Sequence, residues 1–219
     1  AELGLTALTV PEAHDGLGQG AIDVMVAMEE LGRGMVLEPL AHAFIASSVL
    51  TQYAPAELQA AWLARIASGG ALVVLAQQER KARYALEKCE AKSAPAQSGY
   101  TLTATKNIVP AGDQADAYLV PAQLDGQIAL FLVERSASGV SAQGYATQDG
   151  SRAAEVQFAN ASATLITKDG LAALELAVDT GIASLCAEAV GVMDKAVALT
   201  VDYMNQRKQF GVTIASFQA

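Results

Sequence analysis

The sequence predicts an α+β fold with an N-terminal helical domain (residues 1–70), a central antiparallel β-domain (71–168) and the start of a C-terminal helical domain (169–219). Two observations predict it. Apolar residues recur at helical spacing in the first and last parts of the chain, whereas the middle part has short apolar runs between turn-forming residues. With 219 residues, the chain is also long enough to bury a substantial core.

Helices are predicted throughout the first 70 residues. The segment AIDVMVAMEELGRG has apolar residues at helical spacing, namely Ile22, Met25, Val26 and Leu31. The alanine-rich segment LAHAFIASSVLTQY is also compatible with a helix. Pro55 is a plausible first residue of a third helix, because a missing N–H costs nothing there. Leu58, Trp62 and Ile66 share one face of that helix, and two glycines end it.

Five or more short strands are predicted between residues 71 and 168. They are the segments ALVVLA, GYTLTATKNIV, DAYLVPA, QIALFLV and AAEVQFA, separated by turn formers such as Gly99 and Gly150. This spacing is typical of an antiparallel sheet or a small barrel. Because ALVVLA and IALFLV are apolar on both faces, we expect them to be central strands.

One long helix is predicted after Lys168, with Asp169 as its candidate N-cap. Apolar or small residues recur in steps of three and four from Leu171 to Tyr203 and form one continuous face. A straight helix of this size would be roughly 57 Å long, so Gly181 and Gly191 are candidate positions for a break. The apolar face must pack on other helices, which are expected to be either the N-terminal helices of this chain or the helices of another subunit.

Composition argues against several classes of function. The net charge is −9 and only 17% of residues are charged, so no basic stripe is available for nucleic acid. No uninterrupted apolar run approaches the roughly 20 residues of a membrane-spanning helix, so no membrane span is expected. The two cysteines and two histidines lack metal-ligand spacing, and we therefore expect no metal site. Free cysteines indicate a cytoplasmic protein.

Three segments are candidate sites, and each has a purely structural alternative. In YMNQRKQFG, the cations and the glycine suit either an ordinary helix end or an anionic ligand. The segment AQQERKARYALEK carries Glu79 and several cations, and is expected to be a solvated loop. Lys106 is expected to be a surface charge. The glycines near residue 18 are spaced G-x-G-x-G, which does not match a dinucleotide-binding fingerprint.

Five segments, in the same order, resemble the acyl-CoA dehydrogenase family of flavoproteins. VPEAHDGLGQGAIDVMVAMEELGRG is similar to the family's V-P-E-x-x-G-G-L-G segment and E-E-L-G helix. LAQQERKARY resembles its A-x-x-E segment, TKNIVPAGDQADAYLV its G-x-K-x-x-I/V…A-D strand pair, and GYATQDGSRAAEVQFANASA its closing strand. The most specific match is YMNQRKQFGVTIASFQ, which resembles R-x-x-F-G-x-x-I-x-x-F-Q.

The resemblance implies that FAD is held between the β-domain and the helices of two subunits, with a helical-bundle C-terminal domain. Arg207 would contact the FAD pyrophosphate of the neighbouring subunit, for which the fork of guanidinium donors is suited. Gln209, Phe210 and Gln218 would line the adenine side of the same site. Gln78 would lie near the polar edge of the flavin ring.

The sequence also departs from the family at three positions. Ile108 stands where the family commonly has an aromatic residue against the flavin, and Pro110 stands where it has a threonine near flavin N5. Ile182 replaces an arginine early in the long helix. These differences imply altered flavin and acyl-CoA contacts. The carboxylate base of most members lies beyond the F-Q motif, so no catalytic residue can be assigned in this chain.

Two functions follow from the resemblance. The first is an FAD-dependent acyl-CoA dehydrogenase of fatty acid metabolism that forms a Cα–Cβ double bond in an acyl-CoA thioester and passes electrons to an electron-transfer flavoprotein. The alternative is a non-catalytic subunit of a hetero-oligomeric dehydrogenase that completes the FAD site of its partner. Both predict a homo- or hetero-oligomer, either a dimer or a tetramer. The chain is expected to be truncated at both ends.

Overall fold

The computed structural model describes residues 3–217, in which helices, strands and a long helix follow one another as an α+β fold. The α-helices are α1 (Ala21–Gly34), α2 (Leu40–Tyr53), α3 (Ala56–Ala67) and α4 (Gly170–Gln206). The strands are β1 (Val73–Leu75), β2 (Lys92–Pro95), β3 (Tyr100–Pro110), β4 (Ala117–Leu124), β5 (Gln127–Glu134), β6 (Val140–Ala146), β7 (Arg152–Thr167), β8 (Lys208–Gln209) and β9 (Val212–Thr213). The predicted fold class is confirmed.

The first three helices form a core with the start of α4 and one side of the barrel. In α3, Trp62 and Ile66 are buried as predicted. In α1, however, the buried residues are Val24, Met28 and Gly32, and the predicted apolar positions Ile22, Met25 and Val26 are exposed. The reason is that α1 packs on α4 through its glycine face, which permits a closer approach than the larger side chains would.

Five strands close into a small barrel. Around the barrel the order is β4, β5, β7, β3 and β2, and β2 returns to β4, where the Gln123 N–H donates to the Ala91 carbonyl at 2.9 Å. β1 lies parallel to β4, and β6 lies antiparallel to β7. The prediction of an antiparallel sheet or small barrel holds, except that β4 has two parallel partners. β2 and β6 escaped prediction because they are mostly polar or exposed.

The two doubly apolar segments occupy different positions. β5 lies between β4 and β7, so it is a central strand as predicted. β1 has β4 as its one ladder partner in the described chain, so the expectation that it is a central strand is wrong. Val73 and Val74 are nevertheless both buried. Val73 belongs to the helical core and Val74 to the barrel core. β1 is therefore apolar on both faces because it separates two cores.

α4 runs without interruption, so the suggested break at Gly181 or Gly191 is wrong. Asp169 is at the N-cap position as predicted, although its side chain makes no capping hydrogen bond. The buried positions are mostly small, namely Gly170, Ala173, Leu174, Ala177, Ser184, Ala187 and Gly191. Much of the predicted apolar face is instead exposed, including Ile182, Leu185, Leu199 and Tyr203. In the described residues, few groups cover the second half of this helix.

The sequence predicts no membrane span, but α4 is long and apolar enough to cross a membrane by length and composition. Such composition is weak evidence, because the core helix of a soluble protein passes the same test. The first half of α4 packs against α1, α2 and β5 along its small residues.

The segment after α4 forms a tight hairpin. α4 ends at Gln206, and Arg207 has an extended backbone. Phe210 and Gly211 then form the two-residue turn between β8 and β9, with φ values of 53° and 84°. Two positive φ angles are characteristic of a type I′ hairpin turn. The alternative that Gly211 ends α4 as an ordinary helix stop is therefore wrong.

Candidate functional site

A cleft of about 760 Å³ lies where the helical domain, the barrel and α4 meet. Its lining includes Met28, His42, Ile108, Pro110, Leu185 and Glu188. This volume is within the range of clefts that hold small-molecule ligands, about 300–1,000 Å³. The cleft is therefore the best candidate site in the described part of the chain.

Ile108 reaches the cleft from a bulge in β3. The register with β7 shifts between Lys106 and Val109, and Ile108 has a φ of 48° and is 52% exposed. A positive φ is unfavourable for a β-branched residue, so the surrounding structure must hold this backbone in place. The carboxylate of Glu155 does so, because it accepts hydrogen bonds from the Asn107 amide and from the Ile108 N–H.

Gln78 lies in the loop after β1 and is connected to the same bulge. Its carbonyl oxygen accepts a hydrogen bond from the Asn107 N–H at 2.8 Å. Gln78 lines a much smaller cavity, together with Cys89 and Pro121. It is not among the residues that line the large cleft. Gln78 is thus hydrogen-bonded to Asn107, the residue that precedes Ile108. The contact of Gln78 with the flavin stays a prediction.

A buried ion pair fixes the loop that carries Gln78. Lys106 Nζ lies 2.7 Å from Glu79 Oε1, and the side chains are 0% and 6% exposed. The ammonium also donates to the Pro121 carbonyl at 3.0 Å, and Glu79 accepts from the backbone N–H groups of Glu90 and Ala91 at 2.6 and 3.1 Å. The expectation that Lys106 is a surface charge is wrong, because the barrel interior surrounds it.

Two effects oppose each other at Glu79. Burial by itself raises the pKa of its carboxyl, but the hydrogen bond and charge of Lys106, with the two backbone N–H groups, outweigh it, so the pKa of Glu79 is lowered. The pair anchors the loop from within the packed structure, with only a small part of the Glu79 side chain exposed. The rest of this loop is solvated as predicted, since Arg80, Lys81 and Arg83 are exposed.

Two polar residues lie on the helical wall of the cleft. Burial lowers the pKa of His42 to about 4, and its solvent-shielded Nδ1 has no hydrogen-bond partner within the described range. Burial, and then the charge of Asp149, raise the pKa of Glu188. The Glu188 carboxylate makes no hydrogen bond or ion pair with residues 3–217. Sequence reasoning missed both, because nothing in the pattern distinguishes Glu188 from the other acidic residues of α4.

The cleft is acidic. Glu38, Asp149 and Glu188 line it, and the guanidinium of Arg152 is already paired with the Asp113 carboxylate, with an Nε–Oδ2 distance of 2.6 Å. An apolar ring fits against Ile108, but a pyrophosphate finds no uncommitted cation among the described lining residues. The cleft thus suits the flavin ring of FAD and does not suit its phosphates.

The other group of predicted site residues lies at the far end of α4. Arg207, Lys208, Gln209 and Phe210 are exposed, and the Phe210 ring contacts Phe217 edge to face at 6.4 Å. Gln218 lies outside the described residues. Leu185 lines the cleft, and the end of α4 is about 30 Å further along the helix axis. The fold therefore brings the predicted residues together in two separate groups.

Comparison with known proteins gives consistent matches along the chain. Residues 1–70 match the family model described as "Acyl-CoA dehydrogenase, N-terminal domain", and residues 168–219 match "Acyl-CoA dehydrogenase, C-terminal domain". Two similar proteins are the acyl-CoA dehydrogenases FadE27 and FadE28 of Mycobacterium tuberculosis, which are 28% and 32% identical over 100% and 98% of this chain. The chain spans 58% and 61% of their respective lengths.

A solved structure with the same fold is the ChsE4-ChsE5 complex of Mycobacterium tuberculosis. The match has a TM-score of 0.85 at 27% identity, and covers 99% of this chain and 59% of that one.

Proposed function

The chain belongs to the acyl-CoA dehydrogenase family, and from this premise we propose that it acts in an FAD-dependent enzyme that forms a Cα–Cβ double bond in an acyl-CoA thioester. FAD would supply the acceptor for the hydride that leaves the β-carbon. No described residue is assigned as the base that removes the α-proton. Electrons would pass to an electron-transfer flavoprotein.

The cleft between the three regions of the fold carries this proposal. The resemblance assigns Ile108 and Pro110 to the face that meets the flavin ring, and both line the cleft. Ile108 would offer apolar contact without aromatic stacking, and Pro110 has no N–H to donate. The anchored loop before β2 and the bulge in β3 would hold this face rigid around the ring. Rigid support of this kind is what a positioned cofactor requires.

The proposed FAD phosphates need a second subunit. The cleft is acidic, while Arg207 is exposed about 30 Å along α4 from its lining residue Leu185. We therefore propose that Arg207, with Gln209, Phe210 and Gln218, completes the site of a neighbouring subunit. The exposed apolar side chains of α4 would be covered in the same oligomer, which is the reason to expect a cytoplasmic protein without a membrane span.

A second candidate is a non-catalytic subunit of a hetero-oligomeric dehydrogenase. Three replacements favour it: Ile108 and Pro110 at the ring-facing wall, and Ile182 in place of an arginine. Ile182 is 54% exposed. Such a subunit would keep Arg207 for its partner's FAD and lose FAD in its own cleft.

The test is the visible absorbance spectrum of the natural-length protein, recorded before and after anaerobic addition of acyl-CoA thioesters. A flavin spectrum that one thioester bleaches would support the dehydrogenase and identify its substrate class. A colourless protein would contradict it. Co-expression with candidate partner chains then tests the second function, for which we expect a flavin-containing hetero-oligomer with fewer flavins than subunits.

A further inference from the structure

We propose that a groove on the outer face of the barrel binds the phosphate groups of the CoA part of the substrate, and that Arg80 is the residue that contacts them. The proposal rests on the proposed function, because these phosphates belong to the same thioester. It gives the charged end of the substrate a site that the acidic cleft does not offer.

The groove has a volume of about 540 Å³ and lies along β3 and β7. Thr105 and Gln157 are opposite each other in these strands and are exposed, whereas the next residue of β3, Lys106, is buried inside the barrel. A volume of this size is within the range of clefts that hold small-molecule ligands, about 300–1,000 Å³. The hydroxyl and amide groups of its lining can hydrogen-bond to a nucleotide, and Arg80 lies at its edge.

The groove adjoins the large cleft. Asn107 and Glu155 line the groove, whereas Ile108 and Ala153, from the same two strands, line the cleft. The two sites meet where the Asn107 amide donates a hydrogen bond to the Glu155 carboxylate. A thioester whose acyl group lies in the cleft therefore reaches the groove through the flexible arm that joins its sulfur to the nucleotide.

The carboxylates that line the groove are already engaged. Glu79 Oε1 lies 2.7 Å from a lysine ammonium, Glu90 Oε1 lies 3.1 Å from another, and Glu155 accepts the hydrogen bond described above. Arg80 is exposed, and its guanidinium makes no hydrogen bond or ion pair within residues 3–217. In the large cleft, by contrast, the Arg152 guanidinium is paired with a carboxylate. A phosphate thus finds an uncommitted cation in the groove and not in the cleft.

The loop on one side of the groove is basic. Residues 80–92 contain five of the 14 lysines and arginines and only two carboxylates, in a chain with a net charge of −9. Arg83 and Lys88 are exposed and, like Arg80, have no side-chain partner in the described part of the chain. Clustered cations attract an anionic ligand and speed its association. The guanidinium of Arg80 then offers the fork of donors that suits phosphate oxygens.

Both CoA and FAD contain an adenosine diphosphate group. Under the proposed function, Arg207 of a neighbouring subunit binds the FAD pyrophosphate, which leaves the CoA phosphates without a cation in the cleft. The observations therefore favour CoA as the ligand of the groove, and the test distinguishes the two.

The test compares a CoA thioester with the pantetheine thioester of the same acyl group, which lacks the nucleotide. Binding to the flavin-containing oligomer is measured by titration calorimetry. We expect Arg80→Ala to weaken binding of the CoA thioester about tenfold, because it removes hydrogen bonds between charged groups. Affinity for the pantetheine thioester should stay unchanged. Added salt should weaken the CoA thioester less in the variant than in the unchanged protein.

Further variants separate phosphate contact from other effects. Arg80→Lys should retain part of the affinity, since an ammonium keeps the charge but lacks the planar fork. Lys195→Ala removes one positive charge from an exposed position of α4 and should leave both affinities unchanged. Flavin retained per subunit should be the same in Arg80→Ala as in the unchanged protein. Loss of flavin with undiminished CoA affinity would mean that the groove holds FAD phosphates, which overturns the proposal.

The outcomes separate this proposal from the proposed function. Equal losses for the two thioesters in Arg80→Ala, or no loss for either, overturn the phosphate site, whereas a thioester that bleaches the flavin still supports the dehydrogenase. Titration with CoA alone gives the converse case. If CoA binds and Arg80→Ala weakens it about tenfold, but no thioester bleaches the flavin, the groove is supported and the dehydrogenase is contradicted.

Discussion

Gly32 and Gly191 lie against each other's helix where α1 crosses α4. A Cβ atom on Gly32 would be 2.0 Å from the Glu188 carbonyl oxygen, and one on Gly191 would be 1.9 Å from the Glu29 carbonyl oxygen. Neither distance is compatible with a real Cβ, so this crossing requires glycine in both helices. The contact also fixes the helical wall of the cleft, because Glu188 itself belongs to it.

We predict that Gly191→Ala lowers the free energy of unfolding by about 1–3 kcal/mol or more, because the helix backbones must move apart to admit the methyl group. The measurement is urea-induced unfolding. Gly181→Ala is the matched control on the same helix, where the new Cβ would meet the flexible end of Ile45 at 3.3 Å. There we expect no loss, or a gain of up to about 1 kcal/mol from helix propensity. Equal effects of the two substitutions would contradict the close crossing.

The same contact explains which part of the α4 prediction was wrong. Periodicity correctly predicts a long helix from about residue 170, because steps of three and four define its faces. It favours the face with the largest apolar residues. The face buried within this chain is instead the one with small residues, where backbone meets backbone at Gly191. A sequence pattern cannot show which of two apolar faces a neighbouring helix approaches.

We predict that Lys106→Met costs about 3–5 kcal/mol, because it leaves the Glu79 carboxylate buried without its cation. The double variant with Glu79→Gln should cost less than the sum of the single changes, since the two groups interact directly. The measurement is a double-mutant cycle by urea unfolding. Additive effects would contradict direct coupling of the pair.

An exposed ion pair from the same loop supplies the control. Lys81 Nζ and Glu90 Oε1 are 3.1 Å apart, but these side chains are 81% and 63% exposed. Lys81→Met should therefore cost less than about 1 kcal/mol. A comparable loss at both lysines would mean that burial does not determine the effect.

We predict that stability falls as the pH drops from about 6.5 towards 4, with His42 as one contributor. The pKa of His42 is lowered from 6.5 to about 4, so the unfolded chain takes up a proton in this range and the folded chain does not. That contribution is complete above pH 6.5 and is lost as the pH falls. Its slope is at most about 1.4 kcal/mol per pH unit.

The Glu188 carboxyl has the opposite effect on the pH dependence of stability, because its raised pKa favours the folded state at low pH. The test therefore compares the unchanged protein with His42→Gln, in which the His42 component of the slope should be absent. His14→Gln, which replaces the chain's other histidine, is the control and should keep the slope. The prediction fails if the His42 variant retains the slope of the unchanged protein.

The candidate site shows the same division between what a sequence can and cannot predict. Resemblance of motifs led to Ile108, which lines the cleft. The ion pair of Glu79 with Lys106 went unrecognised, because its members lie in a loop and a strand that only the closed barrel brings together. His42 became visible through the burial of its Nδ1 atom and the lack of a partner for that atom among the described residues. Those are properties of the packed molecule and not of residue spacing.

We predict that Arg207→Ala weakens FAD binding about tenfold to a hundredfold, since hydrogen bonds between charged groups contribute roughly 1.5–3 kcal/mol. Flavin retained per subunit after dialysis is the measurement, with size-exclusion chromatography to verify the oligomer. Lys195→Ala removes one positive charge from an exposed position of α4 and should leave retention unchanged. Arg207→Lys should restore only part of the affinity, because an ammonium lacks the planar fork that matches phosphate. Full retention in Arg207→Ala would mean that this exposed arginine does not contact the cofactor of a neighbouring subunit.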